Sequence, residues 1–395
     1  MSWQKTSVME EKLKFILAWK SGLYTVSDLC RMHGVSRVTG YRLINRYKEE
    51  GEDCLLEQSK RPKNSSPHKT PLEIEQAIIK LRSKYKNWGA RKLIVLLERE
   101  YAKELIPSET TVNKILSRNG LVKKRRRRSQ KVERANPKFD PQVCNEIWSA
   151  DYKGQFRLGN RRYCYPLTIT DKYSRYLFTS KGHYSPNYES VKREYRQVFR
   201  KYGQPKYIHT DNGSPFGSIR SVKRYSKLCY WLIDQGIEPL FSDPGCPQQN
   251  GRHERMHRDL KAYCCREVEN TLSAQQEKMD GFRAEFNLIR PHEALNMATP
   301  DSVHERSTRA YSERKRPFTY DSNLKVLKVM KNGAIRWGAY NWVFVSEAAI
   351  RRYMGMEEIG NGIWMMYYRH VLLGYFDEKL INRKEQYLKL ANKVV

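Results

Sequence analysis

Between residues 8 and 50, apolar positions recur every three or four residues in three runs: "VMEEKLKFILAWKSG", "TVSDLCRMHG" and "SRVTGYRLINRYKEEG". That period predicts three short helices. Thr25 with Asp28 reads as a capping box, Gly34 follows the second helix and Ser36 is placed to cap the third. Short helices around a tight glycine turn predict a helix-turn-helix over residues 1–56. Its third helix offers Arg37, Thr39, Tyr41 and Arg42 near its start as candidate DNA contacts. After the Pro, Ser and Lys-rich stretch "EQSKRPKNSSPHKTP", the helical period returns over residues 71–122. Ile74, Ile78, Leu81 and Tyr85 share one face, "ARKLIVLLEREY" forms a second helix, and Ser108 caps a third whose Val112, Ile115 and Leu116 face inward. Thr110, Thr111, Asn113 and Lys114 are the candidate DNA contacts of this second unit.

From about residue 145 the period changes to two. "EIWSADYKGQFRL", "RRYCYPLTITDKYS" and "RYLFTSKGH" predict three antiparallel strands, the first pair joined by a Gly-Asn turn. A helix over 186–202, a strand ending at "HTDNG", a helix near 218–235, the strand "GIEPLFS" and a long helix from about 249 follow. Such an order predicts a mixed sheet with helices on its faces over residues 144–310. Beyond it, "LKVLKVMKNGAIRW" with an Asn332-Gly333 turn, "YNWVFV" and "GIWMMYYRHVLLGYF" predict a small β-barrel of about five strands over 320–380. The fold class expected is therefore multidomain α/β.

Composition then narrows the partners. The 395 residues carry 74 Lys and Arg against 43 Asp and Glu, a formal charge of +31 spread through the chain. A field of that sign points to a polyanion, and two tandem helical units on a basic chain point to double-stranded DNA. The run "KKRRRRSQK" in the 123–143 linker, with Arg125, Arg126, Arg127 and Arg128, is placed to track phosphates. Eight cysteines show no Cys-x-x-Cys pair and no standard zinc-finger spacing, so zinc is not expected and reduced, buried thiols are. No signal segment and no run of about 18 apolar residues is present, which predicts a cytoplasmic, nucleoid-associated protein with no membrane partner.

Three acids are the candidate chemistry. Asp151 sits in the middle of a strand, on the same face as Ile147 and Ser149, where an acid is costly unless it is paired or binds a metal. Asp211 ends another strand in "HTDNGSPF", a sequence that equally suits a plain turn. Glu254 starts a helix after "GCPQQNG", with His257, Arg258 and Lys261 at i+3, i+4 and i+7, so that one face carries an acid beside cations. Strand ends and helix starts of such sheets converge on one cleft, and three carboxylates there suit Mg²⁺ and two-metal phosphoryl chemistry, with Mn²⁺ as a substitute. Asp171 competes, and is read as structural, pairing with Arg175 or capping its turn. Asp243 and Asp259 are weaker rivals, Asp259 being expected to face solvent or a neighbouring Arg.

"WSADYKGQF", "HTDNGSPF" and "PGCPQQNGRHERMHRDLK" resemble the three acid motifs of the DDE transposases of bacterial insertion sequences, and "RPHEALNMATP" resembles the branch called insertion-sequence family 481. The resemblance implies an RNase H-like core and assigns the catalytic and metal-binding triad to Asp151, Asp211 and Glu254. It also implies binding of the element's terminal inverted repeats, end cleavage, strand transfer and a homo-oligomer on DNA. Two alternatives stand beside it: a domesticated DNA-binding regulator, and an RNase H-like nuclease without strand transfer.

Overall fold

The computed structural model describes residues 7–56, 70–122, 140–218, 223–243, 246–339, 341–381 and 388–389. It divides into two compact units, Met1–Lys69 and Thr70–Val395.

The first unit is three helices, α1 (Val8–Lys20), α2 (Val26–Met32) and α3 (Arg37–Glu50). Each starts at a side-chain cap. Ser7 and Glu10 form a reciprocal capping box on α1, Thr25 accepts the Asp28 N–H at 3.2 Å, and Ser36 accepts the Thr39 N–H at 3.2 Å. Thr25 is thus a simple cap, without the reciprocal bond expected from Asp28. Gly34 ends the turn after α2 at φ +63°, the left-handed region that glycine enters without strain. Gly40 serves a different need: a Cβ there would collide with Cys30 Sγ, so the absent side chain lets α3 lie against α2. Phe15, Ile16, Leu29, Cys30 and Ile44 close the core.

In the second unit, α4 (Leu72–Lys84), α5 (Ala90–Leu97) and α6 (Glu109–Arg118) bury Ile74, Ile78, Leu93, Leu97, Val112, Ile115 and Leu116 together. Arg82 ties the bundle by donating to the Leu121 carbonyl at 3.1 Å.

The sheet that follows contains β1 (Ile147–Tyr152), β2 (Phe156–Arg157), β3 (Tyr163–Asp171), β4 (Leu177–His183), β5 (Tyr207–Thr210) and β6 (Glu238–Phe241). β3 lies between β4 and β1, antiparallel to both, and β5 and β6 add in parallel on the far side of β1. The short β2 pairs with β3. Helices α7 (Tyr188–Tyr202) and α8 (Lys227–Asp234) cover one face over Trp148, Ala150, Ile169 and Ile208. On the other face, α9 (Gly251–Cys264) and α10 (Leu272–Ala284) pack Met256, Leu260, Met279 and Phe282 against Cys164 and Leu177. This is the expected mixed, helix-covered sheet. The helix expected near 218–235 starts at Lys227, after Ser226.

The C-terminal region expected as a five-strand barrel is built from two sheets. Four strands, β7 (Lys325–Lys328), β10 (Tyr353–Gly360), β11 (Ile363–Tyr368) and β12 (Val371–Asp377), form one; β8 (Ala334–Trp337), β9 (Asn341–Phe344) and β13 (Leu388–Lys389) form the other. Trp337, Val343, Met354, Met356 and Met366 fill the space between them. Tyr225, Tyr230 and Ile233 belong to the same core, so this region is seated on α8. Alternation within the strands predicts the sheets, but periodicity holds no information about which outside element completes a core.

Candidate active site

Strand register brings the first two acids to one edge of the sheet. β1 and β5 run parallel with Ser149 opposite His209, so the strands leave the sheet side by side at Asp151 and Asp211. Asp211 Oδ1 accepts the Gly213 N–H at 3.2 Å, the local turn bond that "DNG" suits. Asn212 donates to the Ser242 carbonyl at 2.8 Å and fixes the loop to the end of β6. Glu254 lies exposed in the first turn of α9, and both Asp211 and Glu254 act on Asp151 as like charges. Burial first, and then these neighbours, push the Asp151 carboxyl up to about 7. Asp211 is also raised, by desolvation opposed by its bond from Gly213.

No Lys or Arg lies within 4 Å of any of these three carboxylates among the described residues. Instead, neutral groups hold Asp151. Asn250 Nδ2 lies 3.4 Å from Oδ2 and its Oδ1 accepts from Ser149 Oγ at 3.2 Å, while His257 Nδ1 faces the same Oδ2 at 3.8 Å. Behind them, Thr168 Oγ1, across the β1–β3 ladder from Asp151, lies 2.7 Å from Nε2 of both His253 and His257. Burial lowers the pKa of both rings, His257 to about 3, so both are neutral. Thr168 Oγ1 donates its one proton to the Asp151 carbonyl at 3.1 Å, so both rings donate to it from Nε2. An unpaired group of hard oxygens is the donor chemistry that fits Mg²⁺. Asp151, His253 and His257 also lie close enough to share an ion, but both Nε2 atoms are committed to Thr168.

Asp171 takes no part in this group. Its Oδ2 accepts from the Ser174 N–H at 2.8 Å and hydroxyl at 2.7 Å, and Oδ1 accepts from the Asn145 N–H at 3.1 Å. It caps its turn, while Arg175 donates to the Lys172 carbonyl at 2.6 Å. Asp243 is bonded by Gln249 Nε2 at 2.8 Å, and Asp259 by Arg290 at 2.6 Å. Arg258 and Lys261 are exposed on α9. In the first unit, Arg37, Thr39, Tyr41 and Arg42 are exposed at the start of α3; in the second, Thr110, Asn113 and Lys114 are exposed and Thr111 half-buried on α6. Arg125, Arg126, Arg127 and Arg128 lie outside the described residues. The residues sequence reasoning missed are Thr168, Asn250 and His253, polar positions that only the packing of α9 on β3 brings behind Asp151.

Family models described as Integrase core domain match residues 142–247 and 235–300. A Helix-turn-helix domain matches residues 11–63 and a Homeodomain-like domain residues 39–116. The chain is 25% identical over 239 residues to the "Insertion element IS476 uncharacterized 39.2 kDa protein" of Xanthomonas euvesicatoria, covering 60% of this chain and 66% of that one. It is 27% identical over 226 residues to the "Insertion element IS407 uncharacterized 31.7 kDa protein" of Burkholderia multivorans (strain ATCC 17616 / 249), covering 56% and 77%. Among solved structures, the simian T-cell lymphotropic virus intasome in complex with PP2A regulatory subunit B56 gamma aligns at 14% identity and TM-score 0.37, over 76% of this chain and 96% of that one. The HTLV-2 integrase catalytic core domain in complex with magnesium aligns at 14% identity and TM-score 0.31, over 42% and 98%. The chain thus carries an integrase core match behind helix-turn-helix domain matches and is similar to proteins of bacterial insertion elements.

Proposed function

We propose that this protein binds the terminal inverted repeats of its own insertion sequence as a homo-oligomer and carries out end cleavage and strand transfer with Asp151, Asp211 and Glu254. What supports the reading is that Asp211 after β5 and Glu254 on α9 act on the half-buried Asp151 of β1 as like charges, which together with burial push its carboxyl up to about 7. Those three side chains would hold Mg²⁺, with Mn²⁺ in its place. A divalent cation there supplies Lewis-acid polarisation of a phosphate oxygen and lowers the pKa of an attacking hydroxyl.

The chain's own groups do the rest. Asn250 and His257 address one oxygen of Asp151 and so set the rotation of its carboxylate. Arg258 and Lys261, one and two turns after Glu254 and exposed, draw the phosphodiester to that edge. In the first reaction a water oxygen bonds to phosphorus and the 3′ oxygen leaves as a hydroxyl. In the second that hydroxyl bonds to a target phosphorus and displaces another 3′ oxygen. The two steps differ only in nucleophile, which is why one site serves both. The test uses oligonucleotides carrying the inverted repeats that flank the gene, uncut or already cleaved. Cleavage and joining are expected with Mg²⁺ or Mn²⁺ and neither in EDTA; full cleavage in the chelator would remove the assignment.

A further inference from the structure

A second group of titratable side chains lies at the other end of β1 and β3 from the acid edge. Cys144 precedes β1, Asp171 ends β3 opposite Trp148, and His304 follows α11 (Pro300–Val303). A sulfur, a carboxylate oxygen and a ring nitrogen, one from each, all lie within 4.8 Å of one another. Ser174 Oγ joins them, donating to Asp171 Oδ2 at 2.7 Å and meeting His304 Nδ1 at 3.2 Å. Ligand atoms on a tetrahedral zinc, with bonds of about 2.0 to 2.3 Å, stand about 3.3 to 3.8 Å apart, so the four atoms are already gathered around the volume of one ion.

Other bonds hold the group in place. Asn145, in the left-handed region at φ +62°, donates from Nδ2 to the Glu305 carbonyl at 2.7 Å, accepts the Trp148 indole N–H at 3.1 Å and gives its own N–H to Asp171 Oδ1 at 3.1 Å. The entry into the sheet and the segment after α11 are therefore side by side before any ion binds. The His304 ring is clamped by stacking on Tyr176 at 4.4 Å and by the edge of Phe178 at 5.1 Å. Its Nε2 has no partner, so no bond outside the group fixes which ring nitrogen carries the proton.

Asp171 is 1% exposed, and Arg175 donates to the Lys172 carbonyl instead of to it. Burial raises the pKa of the Asp171 carboxyl and of the Cys144 thiol and lowers that of His304 to about 4. The ring is thus neutral, as a metal ligand must be, and the two acids lie where positive charge is missing. Sulfur and nitrogen ligands select zinc over magnesium, which takes oxygen.

We propose that Cys144, Asp171 and His304 bind a zinc ion, with the Ser174 hydroxyl in the fourth position. Cys144 gives its proton to solvent as the zinc–sulfur bond forms, and thiolate and carboxylate then match the two charges of the ion. The ion fastens the entry of the chain into the sheet to its exit from the core, a structural role separate from the acid edge and independent of the transposase reading. Cysteine spacing holds no trace of it, because the ligands come from three distant segments that only the β1–β3 ladder and α11 bring together.

The test titrates metal-free, full-length protein with Co²⁺ alone. A single equivalent should produce a sulfur-to-cobalt charge-transfer band that persists in excess Mg²⁺ and disappears when Zn²⁺ takes the place of Co²⁺. Cys144→Ser should lose the band and His304→Gln should weaken Co²⁺ binding by about tenfold or more, whereas Asp151→Asn/Glu254→Gln keeps both band and affinity. In that last background Zn²⁺ should raise the melting temperature, and adding Cys144→Ser should cancel the rise. A folded wild-type protein without the band would overturn the site. So would an undiminished band in folded Cys144→Ser, since another thiol would then be the ligand. If Cys144→Ser does not fold, unchanged Co²⁺ affinity in His304→Gln overturns it.

Discussion

Asp259 and Arg290 bond at 2.6 Å on the side of α9 away from Glu254, with only 14% and 11% of their side chains exposed. Five residues along one helix therefore separate a carboxylate that is tied into the packing from one that is exposed. Glu254→Gln is expected to abolish cleavage and strand transfer together while leaving melting and DNA binding intact. Asp259→Asn strands a largely buried guanidinium and should cost about 3 kcal/mol of stability without removing chemistry in the molecules that remain folded. Chemical denaturation beside joining of pre-cleaved ends separates the two. An active Glu254→Gln protein would show that this face of α9 is not the catalytic one.

The Asp151 carboxyl makes stability depend on pH in a defined direction. Its folded pKa of about 7 lies above the ordinary carboxyl value of 3.8, so the stability it contributes is present below about pH 4 and is lost as pH rises through 7. In metal-free protein, Asp151→Asn should therefore stabilise more at pH 8 than at pH 5, by about 3 kcal/mol. Denaturation midpoints in EDTA at the two pH values check this. An equal effect at both would mean that the carboxyl is ionised throughout.

Thr168 and the two histidines form a proton-counting system. Thr168 Oγ1 donates its one proton to the Asp151 carbonyl at 3.1 Å, so both rings present Nε2–H to that oxygen, and His253 Nδ1 accepts from Thr170 Oγ1 at 3.3 Å. Nitrogen-15 spectra of histidine-labelled protein, assigned with single His→Gln variants, should show the Nε2–H tautomer for both His253 and His257 at pH 8. Opposite tautomers would refute this order.

Asp234, 2% exposed, receives Arg352 at 2.6 Å and lies 3.5 Å from Arg369 and 3.7 Å from Lys315, and the Tyr368 hydroxyl donates to it. It ends α8, on which the C-terminal sheets are seated. Removing its charge leaves buried cations unmatched, so Asp234→Asn should cost about 3 to 5 kcal/mol. Fluorescence of Trp337 and Trp364 should report the loss at lower urea than in the wild type. An unchanged midpoint would mean that the apolar core alone anchors the region.

Base reading and phosphate binding should separate genetically. Arg37→Ala with Arg42→Ala is expected to lower discrimination between element-end and random DNA, since helices read base edges. Replacing Arg125, Arg126, Arg127 and Arg128 by Ala should weaken both about equally and flatten the salt slope. Gel shifts across a salt series decide it, and a loss of discrimination in the second variant would reverse the assignment.

By itself the sequence determined what depends on local order. Helix caps at Thr25, Ser36 and Ser108, the inward faces of α4 and α6, the alternation that put Asp151 opposite Trp148 in β1, and the three acid motifs were all legible, because capping, periodicity and motif spacing are properties of neighbours in the chain. Tertiary structure decided what depends on distant partners. Asp171 could cap its turn or pair with Arg175 until the segment before β1 supplied the Asn145 N–H as a third donor. Asp259 met Arg290 across 31 residues of chain, and α8 lent its apolar side to sheets more than 90 positions later. The cleft that brings together Lys92 on α5, Lys172 after β3, Arg255 on α9 and Arg290 after α10 had no motif at all. Burial and repulsion exist only once those elements share a volume, and no spacing rule along the chain encodes that.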